Sequence, residues 1–186
     1  MHVEVYDTKL EVARALSAHL KTWCQQEGFR SIALSGGSTP KLWFDVLAET
    51  YSQNLPWEEL LFFWGDERCV PPEHPESNYG MTRDHLLDKV PVPAEHVFRI
   101  RGEAAPGEEA SRYGDLLRGR LPGKDGTPCF DLVVLGLGDD GHTASIFPHE
   151  MSLWDASEPC VVATHPQTGQ HRISISGKII NNARQV

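Results

Sequence analysis

An α/β fold with a mostly parallel sheet in three layers follows from three observations along the 186 residues. Apolar runs at 30–34, 60–65 and 132–137 alternate with segments of helical period, the pattern of strand–helix–strand units. The run Leu132, Val133, Val134, Leu135, Leu137 carries almost no polar interruption, as a strand buried on both faces requires. The last two runs stop at charged turns and the first at a glycine pair. Ligands of open α/β sheets sit at the carboxyl ends of the strands, where helix amino termini and loop amides converge.

Taken in order, residues 3–6, VEVY, form a short strand candidate. From Thr8 to about Gln26, Leu10, Ala13, Leu16, Leu20 and Trp23 recur at three- and four-residue intervals, one apolar helical stripe. Gly28 is placed to end that helix. The strand Arg30–Leu34 runs into SGGSTP at 35–40, and a helical pattern resumes from Lys41 to about Tyr51. The strand LLFFWG at 60–65 is followed by Asp66, Glu67 and Arg68 and then a Pro-rich stretch at 70–76. Ser77 and Asn78 resemble the cap of a helix reaching about Leu87. A strand at Val97–Ile100, a helix at Glu108–Leu121 and a loop at Leu121–Pro128 lead into the run at 132–137. Thr143 to Phe147 is helix-compatible and closed by Pro148; Cys160–Ala163 and Arg172–Ile175 are the last strand candidates. Without repeat, low-complexity tract or linker, residues 1–186 are expected to form a single domain.

Seventeen Lys plus Arg against 26 Asp plus Glu leave a formal charge of −9, and no basic block exists to attract nucleic acid. No apolar run approaches the ~20 residues of a membrane span. The amino terminus lacks a secretion signal, and Cys24, Cys69, Cys129 and Cys160 are scattered without metal-ligand spacing. A cytoplasmic protein with reduced thiols and no bound metal is the expectation.

Three stretches carry chemistry. The turn Ser35-Gly36-Gly37 leading into Ser38, Thr39 and Pro40 leaves backbone amides free at a helix start, a site for an anion such as phosphate or simply a capped helix after a tight turn. Asp66, Glu67 and Arg68 at a strand end are either site residues or a surface ion-pair cluster. Asp139, Asp140, Gly141 and His142 place an imidazole beside carboxylates, although Asp-Asp-Gly is also ordinary turn chemistry.

In this order and spacing SGGSTP at 35–40, GDER at 65–68 with SNY at 77–79, and GLGDDGHTASIFP at 136–148 resemble the 6-phosphogluconolactonase family. RISIS and the Asn-Asn-Ala-Arg run at 181–184 are similar to the family's later portion. The resemblance implies a Rossmann-like domain without metal or organic cofactor, hydrolysing 6-phospho-D-glucono-1,5-lactone. It implies a phosphate loop of Ser35, Gly36, Gly37, Ser38 and Thr39, with Arg172 as phosphate cation and Asn78 beside the bound substrate. Asp66 and Arg68 would line the sugar site, and Asp140 and His142 would stand at the reacting carbon. Family members continue past the Asn-x-Ala-Arg run through another strand and a closing helix, so that the C-terminal part of the family fold is expected to be missing from this chain.

Hydrolysis of a δ-lactone needs an activated water, stabilisation of charge on the carbonyl oxygen and a proton for the ring oxygen. His142 is the expected base and then acid, Asp140 its orienter, and Arg68 the stabiliser of developing charge. The partner is a small phosphorylated lactone, acted on by a monomer or small homo-oligomer. One rival is a sugar-phosphate isomerase or deaminase of the wider group, which would need a base that moves a proton between C1 and C2 and, in the deaminase, an added acid in the turn after His142, where TASIFP carries none. Another is a non-catalytic sugar-phosphate sensor using the same pocket.

Overall fold

The computed structural model describes residues 2–26, 28–121 and 123–186. A four-stranded parallel sheet has the order β4-β2-β1-β5, from Ser31–Leu34 (β1), Leu61–Trp64 (β2), Val97–Phe98 (β4) and Leu132–Val133 (β5). Asp66–Arg68 (β3), Cys160–Thr164 (β6) and His171–Ile175 (β7) make a second, antiparallel sheet of order β3-β7-β6. The helices are Lys9–Trp23 (α1), Ser38–Tyr51 (α2), Asn78–His85 (α3), Pro106–Arg120 (α4) and Gly177–Asn182 (α5).

Right-handed crossovers dictate the layers. Passing from β1 to β2 and on to β4 moves the chain one way along the sheet, while passing from β4 to β5 returns it past β1. The linking helices α2 and α3 therefore cover one face and α4 the other, and α1 packs on α2. The strand order reverses between β1 and β5, which opens a crevice at their carboxyl ends.

All four residues of β1 are buried, and the interior is heavily aromatic: Trp43, Phe44, Trp57, Phe62, Phe63, Trp64, Phe98 and Phe130 all belong to it. Phe63 stacks on Phe98 at 4.8 Å between centroids and meets Phe130 edge-on at 5.3 Å, geometries that add about 0.5–1.5 kcal/mol per pair to the area buried. Asp131 ties the near ends of β1 and β5 together. Its Oδ2 accepts from the Arg30 and Ser31 amides, each at 2.9 Å, and from Ser31 Oγ at 2.8 Å. The Tyr113 hydroxyl on α4 accepts from the Trp64 amide at 2.9 Å and donates to the Trp64 carbonyl at 3.1 Å, which satisfies the end of β2 inside the core.

Four expectations are corrected. Residues 3–6 form no strand, and Val3 and Val5 are exposed; a β-rich stretch without a neighbouring strand has nothing to pair with. α1 opens with a capping box between Thr8 and Glu11 and stops at Trp23 with Cys24 as its cap, ahead of Gly28. The run at 132–137 pairs only over Leu132 and Val133, after which the chain leaves the sheet and Leu137 is 81% exposed. Thr143 to Phe147 is a tight turn closed by a Thr143–Ile146 bridge, and the helical turn begins only at Pro148. In addition, the charged residues after β2 do not hang at its end. Gly65 breaks the run, and Asp66–Arg68 enter the antiparallel sheet. In the predicted loop at 121–128, Pro122 lies outside the described residues.

Candidate active site

Each wall of the crevice is built by a different local rule. Gly37 caps α2 with φ +108° and supplies no side-chain bond, so the first amides of the helix stay free for an anion. Gly36 has no alternative: a Cβ there would stand 1.9 Å from Asn78 Oδ1. Ser38 Oγ accepts from Lys9 Nζ at 2.8 Å. That contact brings a cation from α1 to the start of α2, which sequence reasoning did not anticipate.

The second wall is one face of the β3–β7 ladder. Arg68 lies directly opposite Arg172, so two guanidinium groups flank the crevice. The Nε atoms of both are buried without a partner. Burial, and then the Arg68 charge, push Arg172 below the ordinary guanidinium value, and its Cζ lies 5.6 Å from the Phe147 ring centroid. Arg68 donates from Nη1 to the Glu76 carbonyl. Asp66 faces the same way but its oxygens are committed, Oδ2 to Ser145 Oγ at 2.6 Å and Oδ1 to Asn78 Nδ2 at 3.3 Å.

Between them Glu67 points the opposite way and organises the wall. Its carboxylate accepts from the amides of Arg68 at 2.8 Å, Asn78 at 2.7 Å and Tyr79 at 2.8 Å, and from Ser77 Oγ at 3.0 Å. Burial pushes this carboxyl up, against the pull of the four donors. Glu67→Gln turns an acceptor into an amide that faces donors only, and is expected to cost about 1–3 kcal/mol. Chemical denaturation of both proteins measures that loss; equal midpoints would contradict it.

The third wall is the loop after β5. Gly138 N–H donates to the His142 carbonyl at 2.8 Å, and Gly141, at φ +86°, donates back to Gly138 at 2.9 Å. A Cβ on Gly138 would meet the His142 ring at 2.3 Å, so the glycine makes room for the imidazole. Asp140 Oδ1 lies 2.5 Å from His142 Nδ1 and also accepts the His142 amide at 3.1 Å. This hydrogen bond from His142 holds the Asp140 carboxyl below its ordinary value. The imidazole rests 4.7 Å from Phe147. His165 meets the same ring edge-on at 5.3 Å, and burial, then the Arg172 charge, lower its imidazole.

The walls enclose a cavity of about 220 Å³. Ser35, Gly36 and Gly37 line it from the turn before α2, Asp66, Arg68 and Arg172 from the ladder, Asn78 from the start of α3, and Gly136, Leu137, Gly138, His142 and Ala144 from the third loop. Eight of the eleven residues expected from sequence therefore line one crevice, Asp140 is bonded to the lining residue His142, and Ser38 and Thr39 begin α2 directly after Gly37. Glu67, read in sequence only as part of the charged cluster with Asp66 and Arg68, bonds to the Ser-Asn pair at 77–78 that starts α3; Ser145 and Phe147 were not among the expected site residues. Among the described residues no group of three or more His, Cys, Asp or Glu is placed to hold a metal.

The family model for glucosamine-6-phosphate isomerases/6-phosphogluconolactonase matches residues 7–186. The chain belongs to this family. It is 47% identical over 184 residues to a 6-phosphogluconolactonase of Treponema pallidum, covering 99% of this chain and 70% of that protein. A 6-phosphogluconolactonase of Haemophilus influenzae is 46% identical over 156 residues, 83% of this chain and 65% of that one. The chain thus spans about two thirds of the length of these two relatives. Among solved structures, the 6-phosphogluconolactonase of Trypanosoma brucei superposes with a TM-score of 0.87 at 34% identity, over 97% of this chain and 78% of the other. The family's α/β architecture and parallel sheet are those observed here.

Proposed function

We propose that this chain hydrolyses 6-phospho-D-glucono-1,5-lactone to 6-phosphogluconate, in the oxidative pentose phosphate pathway, by general-base activation of water. One observation carries the reading: an Asp140-oriented His142, two guanidinium groups whose Nε atoms are buried without a partner and an amide-rich glycine loop all border the same cavity. The relatives named above support it.

With Asp140 accepting Nδ1–H, the His142 Nε2 lone pair is the free one, and it takes the proton of a water that attacks C1 of the lactone. Negative charge developing on the carbonyl oxygen falls to Arg68, whose fork is fixed by Glu76. The imidazolium then protonates the ring oxygen as the C1–O bond breaks. Ser35, Gly36, Gly37, Ser38, Thr39 and Arg172 hold the phosphate; Asn78 Oδ1, buried without a partner, accepts from a substrate hydroxyl. Binding energy taken remotely at the phosphate orients the lactone.

Deamination would need an added acid in the turn after His142, where TASIFP carries none. The four free cysteines support a cytoplasmic setting for the reaction. A coupled assay on freshly generated lactone, beside an enzyme-free control, is expected to show product formation well above spontaneous hydrolysis. Ammonia from an aminosugar phosphate, a ketose product, or ligand binding without turnover would each overturn the reading.

A further inference from the structure

We propose that Ser145 is a positioning residue, which holds the His142 turn in a strained conformation through a two-point grip by one rung of the β3–β7 ladder. The proposal rests on the lactonase reading for its kinetic consequences but not for its geometry.

Residues 143–146 close a tight turn: the Ile146 amide donates to the Thr143 carbonyl at 3.0 Å. Ala144 at its first central position has φ +48°, whereas Ser145 at the second is not among the positive-φ residues. Those signs are the type II′ pattern, in which the first central position favours glycine. Alanine there is strained, and the conformation persists only where the surroundings impose it.

The surroundings are specific. Ser145 is fully buried. Its Oγ donates to Asp66 Oδ2 at 2.6 Å, and its backbone N–H donates to Ser174 Oγ at 3.2 Å. Asp66 and Ser174 are direct partners across the antiparallel ladder, so side chain and backbone of Ser145 are gripped by a single rung. Asn78 Nδ2 in turn fixes Asp66, donating to its carbonyl at 2.9 Å, and Ser174 Oγ donates to the Ile175 carbonyl at 3.0 Å.

Two residues further along the same ladder face stand Arg68 and Arg172, again opposite one another. Residues i and i+2 of a strand share a face. One small sheet therefore sets where the guanidinium groups point and, through Ser145, where the turn bearing His142 sits. The strain at Ala144 is the cost of aligning the base with the two cations. Without the Ser145 hydroxyl the turn relaxes towards negative φ at residue 144, and the imidazole leaves its place against Phe147.

The test compares wild type, Ser145→Ala and the double variant Ala144→Gly/Ser145→Ala. Ser145→Ala is expected to lower kcat by about 10-fold or more, since an ångström of misplacement costs up to about 10²-fold, with KM little changed. The His142 ring resonances are expected to lose the ring-current shift imposed by Phe147. Glycine at 144 adopts the left-handed conformation without strain, so the double variant is expected to recover most of kcat and the wild-type ring shift. A Ser145→Ala protein with wild-type kcat and ring shift overturns the proposal, as does a double variant no better than the single one. If Ser145→Ala does not fold, a folded, active double variant supports the proposal and an unfolded or inactive one overturns it. Absence of lactone turnover in the wild type removes the functional reading alone, because the His142 ring shift still decides the grip.

Discussion

Replacing His142 with alanine is expected to reduce kcat on the lactone by about 10²–10⁴-fold, the usual contribution of a positioned general base. The magnitude follows from what the proposed mechanism leaves in place: on that reading the glycine loop, Arg172 and Arg68 still bind and polarise the substrate, so KM should move far less than kcat. The imidazole is 26% exposed on its side chain, and its contacts are Asp140 on Nδ1 and the face of Phe147. Its loss therefore opens little of the core, and thermal stability should be nearly unchanged. Asp140→Asn offers a graded control, because an amide can accept Nδ1–H but lacks the charge that steadies the imidazolium. It should lower kcat by less than His142→Ala does. Wild-type turnover in His142→Ala would remove the base assignment.

The parts of this site that were legible in sequence are those whose residue types are uncommon at their position. A glycine pair after a buried strand has few purposes, and the structure supplies the reason at Gly36, where Asn78 occupies the space of a Cβ. An imidazole after Gly-Asp-Asp-Gly is equally conspicuous. Periodicity located helices α1 to α4 within a few residues. It failed where tertiary pairing overrides local pattern: the apolar run at 132–137 looks like one long strand, yet only Leu132 and Val133 find a partner, and the exposed Leu137 belongs to the cavity lining. The antiparallel sheet was illegible for a related reason. Nothing local says that Asp66–Arg68 will leave the parallel sheet at Gly65 and pair with a segment more than a hundred residues later. The opposition of Arg68 and Arg172 could not be foreseen either, since sequence separation hides like charges that a register brings face to face.

That opposition makes Arg172→Leu the variant with the most divided outcome. Like charges directly opposite on an antiparallel ladder destabilise it, by up to about 1 kcal/mol, and here both Nε atoms are also buried without acceptors. Leucine relieves both costs and keeps the contact with Phe147, so the ligand-free variant should be as stable as the wild type or melt slightly higher. Function should move the other way. Losing a partly buried charge partner of a phosphate costs about 2–5 kcal/mol of binding, which predicts a KM for the lactone raised by roughly 30-fold to 5 × 10³-fold, with kcat reduced much less. Inorganic phosphate provides an independent measurement. At about 100 times its dissociation constant a ligand adds about 2.7 kcal/mol of stability, so phosphate should raise the melting temperature of the wild type but hardly that of Arg172→Leu, and the gap should close as added salt screens the pair. Arg68→Leu separates the two guanidinium groups by role: under the proposed mechanism, which assigns its charge to the carbonyl oxygen, it should lower kcat while the phosphate-induced shift largely persists. The same stability trade appears wherever a site holds like charges ready for an anion that is not yet bound. Equal phosphate-induced shifts in Arg172→Leu and wild type would show that the glycine loop holds the anion without help from the ladder.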